Sequence, residues 1–214
     1  LLGNVTFAGL GGAFNGSVDG GGFGVQLGFV ETAVDGARWS NLASLRFESG
    51  TIGLSNTITT TGLQEYNGSV VLSDNTTLVA GAAGVSLLGA VDGSTSGNQS
   101  LAVNTTGPTV FGGSIGATTP LASLTTNAGG NTTIAGPSVI TTGNQSYGDV
   151  VVLSGDVELR GQAGKFAAGL EGGGNDLTLN FTNATTLDGN FVNIINLNSE
   201  GGVRHHGALS HAGG

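Results

Sequence analysis

Apolar residues in this chain recur at every second position over short stretches. Val70 and Leu72, Thr76 and Leu78, Leu101 and Val103, and Leu177, Leu179 and Phe181 all keep that period. A two-residue period sends alternate side chains to opposite faces of an extended backbone, so each stretch predicts a strand with one face buried. Clusters of Gly or Asn interrupt the stretches at short intervals, which predicts many short strands joined by tight turns. The same residues disfavour helix, because Gly costs about 1 kcal/mol per helical position relative to Ala and β-branched side chains lose freedom there. A closed sandwich would show the same alternation, so the strands alone leave the architecture open.

A long internal repeat narrows it. Thr60-Thr61-Gly62-Leu63-Gln64-Glu65-Tyr66 returns as Thr141-Thr142-Gly143-Asn144-Gln145-Ser146-Tyr147, a shift of 81 positions. That shift also maps Val70, Leu72, Thr76 and Leu78 onto Val151, Leu153, Val157 and Leu159. Upstream, Leu42-Ala43-Ser44-Leu45 returns as Leu121-Ala122-Ser123-Leu124, shifted by 79, and downstream Leu101-Ala102-Val103-Asn104 resembles Leu177-Thr178-Leu179-Asn180. A unit of about 80 residues is thus present twice, after a partial unit. Tandem units stack most simply along one axis, with roughly 20 to 25 residues per coil of three strands and three or four coils per unit. The expected fold is an all-β solenoid, a parallel β-helix of roughly nine or ten coils at about 4.8 Å per coil. It should occupy residues 1–200 and leave 201–214 as an irregular Gly/His tail. Gly and Asn would supply the corners, where φ > 0 or close backbone approach is needed.

Composition removes several function classes. Gly accounts for 42 of 214 residues but Pro for only 3, which excludes collagen. Hydrophobic residues make up 38% and charged residues 9%, a balance opposite to that of disordered chains. The net charge is −9, with five basic residues: Arg38, Arg46, Arg160, Lys165 and Arg204. No dense basic face exists to displace counterions, so neither nucleic acid nor an anionic membrane surface is an expected partner. No apolar run approaches the roughly 18 residues of a transmembrane helix. Cysteine is absent, which excludes disulfides and thiolate metal sites and suits a protein exported unfolded. Leu1-Leu2-Gly3 lacks the basic start of a signal peptide and already sits in repeat-like sequence. The chain is therefore expected to belong to a longer one, its solenoid continued by that chain or by self-association.

The stretch 141–159, its weaker partner 59–78 and the segment 112–126 resemble the repeats of large bacterial exoproteins, the filamentous-haemagglutinin-like and autotransporter-type adhesins. The resemblance covers about residues 40–200; the Gly-rich stretch from Asn4 to Val34 is only loosely similar. It implies a right-handed parallel β-helix, an extracellular or cell-surface location, and adhesion or scaffolding. The partners it implies are a host or neighbouring-cell surface, matrix or glycan. It carries no set of binding residues, and the ligand stays open.

Candidate chemistry is sparse, and no catalytic, cofactor or metal set is expected. Asp156, Glu158 and Arg160 alternate with Val157 and Leu159, so they share the outer face of one strand. A polysaccharide-cleaving enzyme on a similar helix would use such a face, needing paired carboxylates of unequal acidity. The matching positions in the earlier copy are Asn75, Thr77 and Val79, so a solvated charged strip is the preferred reading. Gly172-Gly173-Gly174-Asn175-Asp176-Leu177 is one imperfect copy of a calcium-binding glycine repeat that needs several in a row. A plain corner is preferred. His205, His206 and His211 could bind a transition metal, but no carboxylate or Cys joins them. Trp39 could stack on a sugar if exposed or cap the end of a core. Tyr66 and Tyr147 are expected to be structural at a turn. Ten Asn-x-Ser/Thr sequons begin at Asn4, Asn15, Asn67, Asn75, Asn98, Asn104, Asn131, Asn144, Asn180 and Asn183; such a composition produces many by chance, and glycosylation at them stays open. An ice- or crystal-surface binder would need regular outward Thr rows. Thr59 to Thr61 and Thr141 to Thr142 hint at them without continuing every coil.

Overall fold

The computed structural model describes residues 1–34, 38–48 and 50–211. Among them are 24 strands and no helix, and all pair in parallel within one continuous sheet. The pairing resolves into three stacks, here called sides I, II and III. Side I climbs from Val5 through Val25, Leu45, Gln64, Val85, Thr109, Thr132, Val151, Leu170 and Phe191 to Leu209. Side II carries, in order, Gly53, Val71 and Asp92, and further on Ile140, Arg160 and Asn180. Side III carries Thr57, Thr77, Ala102, Thr125, Ser146, Lys165, Thr186 and Arg204 in one file. The fold is a three-sided parallel β-solenoid of about ten turns. Turn length varies along the rod: on side I the shortest runs from Phe191 to Leu209 and the longest from Val85 to Thr109.

The two-residue period sets what lies inside. Leu72 and Leu153 are 0% and 3% exposed, whereas their neighbours Val71 and Val152 point outward and are half-buried. Inward Val, Leu, Ile and Phe from all three sides form a single core running from Val25 to Ile194. Corners follow the expected chemistry. Among the described residues the non-Gly positions with positive φ are Asn41, Asn56 and Asn193, the residue type that best tolerates the left-handed region after Gly. Gly62 and Gly143 answer a different need: a Cβ on either would lie 2.5 Å from the carbonyl oxygen of Ala43 or Ala122, one turn below.

The repeat is not an integral number of turns. Gln64 lies on side I and Gln145 on side III, so the path from one to the other makes three turns and two further sides. Side II of the first copy likewise becomes side I of the second, since Val70 pairs in the stack of Val91 and Val151 in that of Leu170. The three corners are close enough in geometry for the same local sequence to build two of them.

The expected boundary at residue 200 is corrected. Val203–His206 pairs with Thr185–Asp188, and Leu209–His211 pairs with Phe191–Ser199, so the stack continues into the Gly/His stretch. His205 takes an inward position with its ring edge-on to Phe191 at 6.0 Å, filling a place where the sequence pattern looks for an aliphatic residue. Residues 212–214 lie outside the described residues.

Candidate functional site

The most regular chemistry of the repeat faces inward. Gln64 Nε2 donates to the carbonyls of Ile58 (3.1 Å) and Val79 (2.8 Å), while its Oε1 accepts from the Tyr66 hydroxyl at 2.9 Å. Gln145 Nε2 donates to Val139 (3.0 Å) and Arg160 (2.9 Å), and its Oε1 accepts from Tyr147 at 2.9 Å. Each amide thus ties strands from two successive turns to one buried phenol. Thr60 and Thr141 add hydroxyl donations to Gly62 and Gly143. Tyr66 stacks on Phe47 and Tyr147 on Phe166, with ring centroids 5.1 and 5.0 Å apart. Full burial pushes both phenols well above their ordinary pKa. Both tyrosines hold structural positions, on strands rather than at the turn the sequence suggests. The alternation of apolar residues does not single out the glutamines, although their recurrence as Gln-x-Tyr in both copies is the available signal.

Trp39 is 1% exposed and packs edge-on against Phe14 at 5.3 Å. It belongs to the core near the first turns, and a sugar cannot reach its face. The Gly172–Asp176 stretch is a corner, with Gly173 and Gly174 at positive φ and Asn175 donating to the carbonyl of Gly172. Asp176 Oδ1 there accepts from the backbone and side-chain amides of Asn196, one turn on. His206 pairs with Asp188 at 3.0 Å on the outside, and His205 points inward, so those two imidazoles diverge. The His211 side chain lies outside the described residues.

Asp156, Glu158 and Arg160 all face outward, as their alternation requires. The carboxylates act as coil-to-coil acceptors: Asp156 Oδ1 takes the Asp176 amide at 2.8 Å, and Glu158 Oε1 takes the Asn180 side-chain amide at 3.2 Å. Among the described residues Arg160 has no ion pair, whereas Arg46 is held between Glu48 and Glu65 at 3.1 and 3.3 Å. The outward Thr file on side III begins Thr57, Thr77 but is interrupted by Ala102, Lys165 and Arg204. It lacks the regularity a crystal-surface binder needs.

One place breaks the regular outline. The connection from side II to side III spans only residue 55 in one early turn but widens to 94–99 and 116–122 in two later ones. These two loops lock together. Asp92 Oδ1 accepts the amides of Thr118 and Thr119 at 2.9 Å each, Gly97 N donates to the Pro120 carbonyl at 2.8 Å, and buried Gln99 Nε2 donates to Ser94 at 3.0 Å. The result is a ledge on the side II–III corner, anchored well enough to hold its shape. Beside it runs a shallow groove lined by Pro120, Ile140, Arg160, Gln162, Asn180 and Thr182. Comparison with protein families, curated proteins and solved structures finds no match to the chain.

Proposed function

We propose that this chain is a rod segment of a secreted or cell-surface bacterial exoprotein, acting as a stalk or scaffold that displays adhesive elements. The observation that carries the reading is the division of the repeat between inside and outside. Most inward residues recur between the copies, among them Thr60/Thr141, Gln64/Gln145, Tyr66/Tyr147, Leu72/Leu153 and Leu78/Leu159. Most outward residues differ, as Glu65 against Ser146, Thr77 against Glu158 and Val79 against Arg160, while Thr61/Thr142, Val71/Val152 and Ser73/Ser154 match. The repeat therefore specifies a shaft and leaves the surface free to vary, which is what a display structure requires. A stretch without cysteine suits passage to the surface unfolded.

Its partners would be a host or neighbouring-cell surface, matrix or glycan, together with the chain that continues the rod. A polysaccharide-cleaving enzyme is the alternative, favoured by the shallow acidic groove of Asp156, Glu158 and Asp176. Their coil-to-coil hydrogen bonds argue for a ladder instead. The test is labelling of intact source cells with antibody raised against this segment, alongside protease shaving. Surface labelling that shaving removes is expected. Labelling only after lysis would overturn the reading, and release of reducing ends from polysaccharide by the purified chain would favour the enzyme.

A further inference from the structure

We propose that the groove beside the two-loop ledge binds an acidic saccharide, with Arg160 taking its carboxylate. This rests on the display reading and names a ligand class for one place on the shaft. Pro120, Ile140, Arg160 and Asn180 follow one another up successive turns, Leu121 pairing with Thr141, Ile140 with Arg160 and Arg160 with Asn180. At about 4.8 Å per turn they span on the order of 14 Å, room for a short oligosaccharide lying along the axis.

The chemistry of the lining fits such a ligand. The Arg160 guanidinium is exposed and has no protein partner among the described residues, so its planar donor fork is available to a carboxylate in two-point contact. The Gln162 side chain has no partner among the described residues either. Asn180 spends its amide on Glu158 and Thr182 its hydroxyl proton on the Gln162 carbonyl, leaving their oxygens to accept from sugar hydroxyls. Half-buried Pro120 gives an apolar shoulder for the C–H face of a ring, with Ile140 buried beneath it. The ledge closes one end, and Gly97, at φ +71, sits so near Thr142 that a Cβ would come within 2.8 Å of its hydroxyl. Arg160 is the cation the groove itself offers in a chain that carries −9. Lys165 and Arg204 share a file on the adjoining side III, outside the groove lining. Asp156 and Glu158, just before Arg160, and Asp176 one turn on oppose the anion, and Glu158 supplies a control.

Titration calorimetry of the whole chain with a short oligogalacturonate, and with its neutral methyl ester, tests the proposal. The acid form should bind and the ester bind at least about tenfold more weakly, as for loss of a charge-assisted contact. Arg160→Gln should lose about as much, Arg160→Lys less. Glu158→Gln should tighten binding, and salt should weaken it. Arg38→Gln, far from the groove in sequence and turn, should change nothing. The Arg160 side chain is exposed, so Arg160→Gln should keep the wild-type melting curve. No heat with wild type, equal binding of acid and ester, or full binding by Arg160→Gln would each overturn the site. Surface labelling is read separately: a labelled rod that ignores the oligogalacturonate keeps the display function and loses this groove, while binding by a chain found only inside cells does the reverse.

Discussion

Gln145 shows how a polar residue can be a core residue. Its amide bridges two turns and its oxygen fixes the Tyr147 hydroxyl, so the buried polar group is satisfied on both ends. Gln145→Leu would leave two carbonyls and a phenol without their partner. A loss of about 1–3 kcal/mol per orphaned group is expected, read as a lower urea midpoint, and Gln64→Leu should behave alike. An unchanged midpoint would show that the amide contributes nothing. Tyr66 and Tyr147 are the chain's two tyrosines, and both have pKa values raised by burial. The folded state therefore holds its phenol protons where the unfolded chain would release them. Their contribution to stability is complete below about pH 10 and is lost as pH rises beyond that ordinary value. Alkaline titration should show phenolate absorbance appearing together with loss of the β circular-dichroism signal. Phenolate forming while the fold persists would contradict their burial.

At the level of the strand, alternation is the controlling feature. Leu72→Ala and Leu153→Ala should each cost about 2–5 kcal/mol, while Val71→Ala and Val152→Ala, pointing outward, should cost much less. Equal losses would mean the strand phase is wrong. Corners respond to a separate constraint: Gly143→Ala forces a Cβ to 2.5 Å from the Ala122 carbonyl oxygen, whereas Gly16→Ala meets nothing within 4 Å. Thermal melts should fall for the first and stay level for the second. These strands were legible in the sequence because their signal is local: Val70 and Leu72, or Leu177 and Leu179, announce themselves by spacing. The strands Val203–His206 and Leu209–His211 were not legible. An inward His205 breaks the apolar pattern, and only the turn beneath, with Phe191 waiting, makes that position an interior one.

For the whole molecule, the repeat announced a solenoid but not its phase. Nothing in the match of Thr60–Tyr66 to Thr141–Tyr147 says that the copies occupy different corners. That depends on counting sides, and the widened loops at 94–99 and 116–122 alter the count without leaving a mark in the matched residues. The groove at Arg160 was invisible for the same reason, since a full turn of chain separates each of Pro120, Ile140, Arg160 and Asn180 from the next. They become neighbours only up the stack. The visible part of the site was Arg160's outward direction, given by its alternation with Leu159. The central claim is that a repeat which keeps its inside shifts by one corner and so carries different outward residues onto different sides. Cysteine pairs test it directly in a chain that has none of its own, because neighbouring outward residues of adjacent parallel turns fall within disulfide reach. Ala102→Cys with Thr125→Cys, and Thr125→Cys with Ser146→Cys, should oxidise readily, as both pairs are in register on side III. Val110→Cys with Thr125→Cys should not, since Val110 lies on side I against Thr133. A bridge between Val110 and Thr125, with none between Ala102 and Thr125, would contradict the shift and put the two copies on the same side.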